Sequence, residues 1–342
     1  MKVAVVILNW NGVEMLRQFL PSVVEHSSDL ADVWVADNGS SDCSVEMLRA
    51  EFPMVKLVLF DQNYGFAEGY NLAIEQIQAE YIVLLNSDVQ VTKEWLTPLV
   101  SYLDAHPKVA ACQPTIRSYH DPASFEYAGA SGGFIDGYGY PFCRGRILGT
   151  VEKDLGQYAE VMPIFWATGA ALFIRREKYL EVGGLDPRFF AHMEEIDLCW
   201  RLRSRGEGVV CIPNSVVYHV GGGTLNKENP RKTFLNFRNN LIMIYKNLPS
   251  DELKRVMFVR FFLDYLAIIV FLVKGDFKNA QAVLSARTEY KKLKPTFEEA
   301  RTINLKKSSV NRVPERMEIC ILWQYYIKGR KLFSQLLYSN HK

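Results

Sequence analysis

The chain has 342 residues, enough for one large or two ordinary domains, and its 49% apolar and 23% charged content excludes a disordered polypeptide. A formal net charge of +2 hides a split: residues 224–342 hold 23 Lys+Arg against 10 Asp+Glu (+13), which leaves 17 against 28 (−11) for residues 1–223. Six scattered cysteines without a C-x-x-C pair exclude a zinc knuckle and a disulfide framework, and fit a reducing cytoplasm.

Residues 3–8 form a short continuous apolar run, the pattern of a strand covered on both faces, and no signal peptide is expected ahead of it. Asn9-Trp10-Asn11-Gly12 then turns the chain into a helix expected over 13–25. A strand at 33–36, a helix at 44–51, a strand at 55–60 and a helix at 67–77 follow. Next come a strand at 81–85, a helix at 94–105 and a strand at 109–115. Repeated βα units of this kind predict an α/β domain with a mostly parallel central sheet and helices on both faces. The polar loops after the strands should converge on one edge of that sheet. Between 118 and 160 the pattern breaks into Gly- and Tyr-rich sequence, read as a long, partly mobile functional loop. Order returns at 166–175 and in a helix near 194–205 that Gly206 stops. Two regions are expected: a catalytic domain over 1–223 and a basic, mainly helical region over 224–342.

In that second region, residues 256–273 are strongly apolar but carry Arg260 and Asp264 and are barely long enough to span a bilayer. They read as a helix lying on an anionic membrane surface, assisted by Lys291, Lys292, Lys294, Lys306 and Lys307. The competing reading packs this helix on the catalytic domain or on a second copy in a homodimer. Nucleic acid is not among the expected partners.

Three acidic segments carry the chemistry. Asp37-Asn38-Gly39-Ser40-Ser41-Asp42 follows a strand; a carboxylate there suits a nucleobase N–H or a ribose hydroxyl, while Asp42 reads equally well as a helix cap. Asn63-Tyr64-Gly65 opens a helix, where glycine permits close backbone approach and the helix N-terminus attracts phosphate; ordinary turn geometry explains it as well. Asn86-Ser87-Asp88 ends a strand in an acid, which suits either a cap or a hard divalent cation bridging two phosphates. His219, before a run of glycines, is either structural or a second metal ligand. In the third segment, Glu194, Asp197 and Arg201 share one polar helix face, with Asp197 and Arg201 expected as a surface ion pair. Glu195 falls instead between Cys199 and Leu202 on the apolar side, where desolvation should raise its pKa toward the range of a general base.

Taken in order, Asn9-Trp10-Asn11-Gly12, the 37–42 loop, the 63–71 loop, Asn86-Ser87-Asp88 and Glu194-Glu195-Ile196-Asp197 resemble a family 2 glycosyltransferase over residues 1–245. Within that family the chain is similar to bacterial rhamnosyltransferase-like enzymes of surface-polysaccharide assembly. The resemblance implies a GT-A fold, a nucleotide-sugar donor (dTDP-rhamnose or a UDP-sugar), inversion and a saccharide acceptor; the apolar and basic second region is expected to bring the enzyme to a lipid-linked acceptor at the inner face of the cell membrane. It implies donor contacts at Asn9, Asn11, Asp37, Asn63, Gly65, Asn71, Asn86 and Ser87, and a Mg²⁺ or Mn²⁺ ion at Asp88 and His219. It further implies Glu195 as base, an acceptor loop at Trp166, Thr168 and Gly169 with Glu194, and support from Asp197, Arg201 and Arg238. A Q-x-x-R-W motif is missing, which favours single-sugar transfer over processive synthesis. A sugar nucleotidyltransferase would want a basic Gly-rich loop after the first strand, and a dinucleotide dehydrogenase a G-x-G-x-x-G there. A non-catalytic carbohydrate-binding scaffold is the remaining alternative.

Overall fold

The computed structural model describes residues 2–221, 229–310 and 312–337, so the expected boundary at 223/224 and the glycines Gly222 and Gly223 lie outside the described residues. In chain order the first half contains β1 (Val3–Asn9), α1 (Val13–Ser27), β2 (Ala31–Asp37), α2 (Ser44–Glu51), β3 (Lys56–Leu59), α3 (Gly65–Gln76), β4 (Tyr81–Leu85), β5 (Val89–Val91), α4 (Leu96–Ala105) and β6 (Val109–Ser118). Short strands β7 (Gly133–Asp136), β8 (Pro141–Cys143), β9 (Arg146–Ile147), β10 (Thr150–Val151) and β11 (Met162–Pro163) follow. Then come β12 (Ala171–Arg175), α5 (Arg176–Glu181), α6 (Glu194–Ser204) and β13 (Gly208–His219). The remainder is α7 (Pro230–Asn247), α8 (Ser250–Val273), α9 (Phe277–Leu293), α10 (Glu298–Lys307), β14 (Arg316–Met317) and α11 (Ser334–Leu337).

The central sheet runs β11-β13-β6-β12-β4-β1-β2-β3, with β5 beside β13. Strands β3, β2, β1, β4, β6 and β13 share one direction, and β5, β11 and β12 oppose them. Alternation along β1 explains its unbroken apolar sequence: Val3, Val5 and Ile7 pack with α1 and α4 on one face, while Ala4 and Val6 pack with α3 on the other. Each face of the sheet is thereby closed by its own apolar cluster, which leaves the strand ends as the open edge.

The 118–160 segment corrects the expectation of a long loop. Its residues 133–151 fold into a second sheet, β10-β9-β8-β7, which β14 extends from the C-terminal region. Phe134, Ile135, Phe142 and Ile147 are buried in the same cluster as Leu241, Ile242, Met243 and Ile244 of α7. The strands are two to four residues long, too short to stand out from turn signals in sequence.

Helix α8 buries Val256, Arg260, Asp264 and Ile268, a stripe spaced by four residues. Arg260 and Asp264 are paired in that stripe, and Asp264 also meets Arg287 of α9. Arg260 donates to Asn240 Oδ1 and to the Tyr138 carbonyl and stacks over the Tyr140 ring. The two charges that interrupt the apolar run therefore bind the helix to protein. The opposite face exposes Phe258, Phe262, Leu266, Ile269 and Val273. By length and composition α8 is the one candidate membrane span among the described residues.

Candidate active site

Strand register brings the predicted loops together. Asn9 at the end of β1 stands opposite Asp37 at the end of β2, and Leu85 of β4 stands opposite Ala171 of β12. His219 at the end of β13 pairs with Val89, the residue after Asp88.

On the β1–β3 side, Asp37 is buried and accepts from Asn9 Nδ2 (2.9 Å), Ser40 Oγ (2.6 Å) and Ser40 N (2.9 Å). Asn11 Oδ1 accepts from the Ser41 amide at 2.7 Å. Asn63 Oδ1 accepts from Asn38 Nδ2 at 2.9 Å and from the Gly65 amide at 2.8 Å. Gly65 opens α3 at φ 80°, a left-handed conformation that favours glycine. Asn9, Asn11, Asp37, Asn63 and Gly65 thus form one hydrogen-bonded rim. Of the two readings of Asp42, capping is realised: its carboxylate accepts from Val13 N (3.1 Å) and Ser44 N (3.0 Å), at the starts of α1 and α2.

Two predicted contacts have structural partners as well. Asn71 accepts from Tyr179 Oη (2.6 Å) and Leu185 N (3.0 Å) and donates to Leu185 O (2.8 Å), which braces α3 against the 179–185 turn. Trp166 is buried against Gly133 and donates from Nε1 to Phe134 O at 2.9 Å, which joins the two sheets.

At the centre, His219 Nε2 lies 3.1 Å from Asp88 Oδ1 and 3.4 Å from Asn86 Nδ2. Glu126 Oε2 stands 3.6 Å from His219 Nδ1. Burial alone would lower the His219 pKa, but its hydrogen bond to Asp88 and the nearby charges of Glu126 and Asp88 hold it up at about 10. Burial likewise opposes ionisation of Asp88, yet His219 keeps its carboxyl below the usual value. Ser87 is half-buried between Asn86 and Asp88. Sequence reasoning missed Glu126, which sits in the segment taken for a loop; only an acid amid the apolar run 125–130 hinted at burial.

The Asn86 amide donates to Ala170 O at 3.0 Å, which links this cluster to the Thr168-Gly169-Ala170 turn. Thr168 is buried and its amide donates to Gln113 Oε1 at 2.9 Å. A Cβ at Gly169 would lie 3.6 Å from Phe66 and 3.9 Å from Glu195 Cβ, so the glycine faces α6 at Glu195. Glu195 keeps some exposure as a residue, but its Oε2 is sealed from solvent and has no hydrogen-bond partner. That burial pushes its carboxyl up to about 7. Glu194 is more deeply buried, its Oε2 is also unpartnered, and burial with the neighbouring Glu195 charge raises its pKa well above the ordinary value.

The loop that delivers these acids is strained: Phe190, His192 and Met193 have φ of 67°, 69° and 76°. It is held by α7. Asn239 Nδ2 lies within hydrogen-bonding distance of the carbonyls of Phe189 (2.9 Å), Ala191 (2.7 Å) and His192 (2.8 Å). Arg238 donates to Asn239 Oδ1 and Phe189 O, both at 2.8 Å. Asp197 and Arg201 correct the expectation of a surface pair, because both are buried. Asp197 accepts from Arg201 Nε (2.9 Å), Lys246 Nζ (2.8 Å) and Asn247 Nδ2 (2.7 Å), and Lys246 also reaches Asp186 at 2.7 Å. The polar face of α6 is therefore its interface with α7, and the pair fixes the helix that carries Glu195.

Once an ion displaced its proton, His219 would offer an imidazole beside the Asp88 carboxylate, with the Asn86 side chain next to them. Among the described residues no cluster of three or more His, Cys, Asp or Glu forms a closed metal site. This open donor set fits a Mg²⁺ or Mn²⁺ ion that takes its other ligands from phosphate oxygens and water.

The profile of "Glycosyl transferase family 2" matches residues 4–177, just over half of the chain. The N-acetylglucosaminyl-diphospho-decaprenol L-rhamnosyltransferase of Mycobacterium tuberculosis (strain ATCC 25618 / H37Rv) is 28% identical over 222 residues, covering 60% of this chain and 71% of that protein. Among solved structures, GalNAc-T7 with UDP, GalNAc and Mn²⁺ superposes with a TM-score of 0.56 at 16% identity, covering 71% of this chain and 47% of that one. S. aureus TarS 1–349 with UDP-GlcNAc superposes with a TM-score of 0.56 at 13% identity, covering 96% and 93%. The sheet order and helical layers accordingly match the GT-A fold, and with its rim of strand-end loops the chain belongs to glycosyl transferase family 2.

Proposed function

We propose that this glycosyltransferase moves a single sugar, with inversion, from a nucleoside-diphosphate sugar (dTDP-rhamnose or a UDP-sugar) to a hydroxyl of a lipid-linked saccharide in cell-surface polysaccharide assembly. The observation that carries the reading is Glu195: a sealed, unpartnered carboxylate oxygen, held near neutral pKa, beside Gly169 and linked through Ala170 to Asn86 and Asp88. Such a group takes the proton from an acceptor hydroxyl. The acceptor oxygen then forms its bond to the anomeric carbon as the bond to the diphosphate breaks on the opposite face. The rim of Asn9, Asn11 and Asp37 orients the nucleoside, and buried Glu194 keeps water from the base. A divalent cation held by Asp88 and His219 would supply positive charge for the leaving diphosphate.

The M. tuberculosis relative, named for a diphospho-decaprenol acceptor, supports the lipid-linked reading. The outward apolar face of α8 supports a peripheral position on the inner face of the cell membrane. The test is release of nucleoside diphosphate from a panel of UDP-, dTDP- and GDP-sugars with Mn²⁺, followed by the anomeric configuration of the product. Binding of sugar nucleotides with no release from any of them, with or without saccharide acceptors, would leave the scaffold reading standing instead.

A further inference from the structure

We propose that the groove between α7 and the first half of α9 seats the diphosphate of a polyprenyl-diphosphate-linked acceptor, so that the attached sugar is delivered toward Glu195. The inference rests on the glycosyl-transfer reading of the cleft and adds the recognition of the acceptor's charged link.

The groove is shallow and open to solvent, with a volume of about 360 Å³. Arg231 and Phe234 line it from α7, three residues apart on one helix face. Lys278, Gln281 and Ser285 line it from α9 at i, i+3 and i+7, so they too share one face. Neither Arg231 nor Lys278 has a salt-bridge partner among the described residues. The nearest acid in sequence, Asp276, is engaged in capping α9 through Asn279 N (3.1 Å) and Asn279 Nδ2 (2.6 Å). Two cations with no salt bridge, Lys278 sharing only the through-space charge of Asp276, and an amide and a hydroxyl on the same lining suit a diphosphate in charge and in hydrogen-bonding capacity.

Position selects the occupant. At one end the Arg231 guanidinium stacks over the half-exposed Phe190 ring, 5.1 Å from its centroid. Phe190 belongs to the strained loop that Asn239 clamps and is four residues ahead of Glu194. At the other end Lys278 adjoins Phe277, which is 69% exposed, and across the 274–276 turn lies Val273, 83% exposed, where the apolar face of α8 ends. Exposed apolar residues adjoin the Lys278 wall of the groove and the Phe190 loop adjoins its Arg231 wall, neighbours that suit an isoprenoid chain on one side of a diphosphate and its sugar on the other. A free phosphate would have no use for the apolar flank, and a phospholipid headgroup no use for the approach to Phe190.

Binding of farnesyl diphosphate to the full chain, in EDTA so that metal-dependent donor binding is silent, tests the proposal. Farnesyl diphosphate should bind at least tenfold more tightly than farnesol or inorganic pyrophosphate. The double variant R231Q/K278Q should weaken it at least tenfold, and R231K/K278R should restore most of the loss. Equal affinity in R231Q/K278Q would overturn the proposal. So would pyrophosphate or glycerol phosphate binding as tightly as farnesyl diphosphate, because the groove would then be a general anion site. Release of nucleoside diphosphate from donor alone reads the transfer chemistry separately: its absence refutes that reading, whereas a silent binding experiment refutes the groove.

Discussion

Replacing Glu195 with Gln tests the cleft by activity and stability together. Burial holds the Glu195 carboxyl at about 7 instead of its ordinary 4.5. A group whose folded pKa is raised contributes stability that is fully present below about pH 4.5 and is lost as pH rises through about 7. At pH 8 the wild type therefore carries a cost of roughly 3 kcal/mol, from about 1.4 kcal/mol for each pH unit between the two values. Glutamine keeps the shape and cannot ionise, so Glu195→Gln should be more stable than wild type at pH 8 and indistinguishable near pH 4. Glu194, raised by its own burial and by the Glu195 charge, should move in the same direction. Transfer should meanwhile fall by about 10²–10⁴-fold with the loss of the base. Urea denaturation at pH 4, 6 and 8, beside initial transfer rates, reads both effects. A variant that is no more stable at pH 8 and retains wild-type turnover would refute the assignment of Glu195 as a desolvated base. A wild-type rate that does not rise with pH through about 7 would argue the same way.

Asp88→Ala should abolish the Mn²⁺ dependence of donor binding while leaving metal-free nucleotide affinity near wild type; calorimetric titration with and without Mn²⁺ checks this. Asn239→Leu removes the side-chain donor from the Ala191 and His192 carbonyls, at about 1–3 kcal/mol each, while Phe189 O keeps Arg238 and the Ala191 amide. It should lower kcat by about 10²-fold through a displaced base, and shift the pH midpoint of kcat below 7 as water reaches Glu195, whereas a purely structural loss would not move that midpoint. Phe262→Asp with Ile269→Asp changes exposed positions of α8. Thermal stability should hold within about 0.5 kcal/mol, and flotation with phosphatidylglycerol vesicles should be lost; unchanged flotation would exclude this face as the membrane contact.

Apart from the three-residue β5, the order of strands and helices through β6 was legible because apolar residues there recur with the local periods of strand and helix. The same local signals placed Asp37, Asp88 and Glu195 at element ends, where an α/β sheet gathers its ligands. The wheel for α6 put Glu195 among apolar neighbours; the structure seals its Oε2 from solvent, yet buries Glu194, Asp197 and Arg201 of the expected polar face more deeply. What no local period encodes is which surface another element covers. The polar face of α6 looks solvent-facing until Lys246 and Asn247, about fifty residues away, close over Asp197. Asn71 looks available until Tyr179 and Leu185 take up its amide. The two- to four-residue strands of the second sheet are too short to show a period; β14 extends them beside β7 and the α7 cluster buries their apolar residues. Local sequence thus determined the elements and the acids at their ends. Tertiary packing decided which of those polar groups remain free to act, because a polar side chain's role depends on the partners that chain folding brings to it.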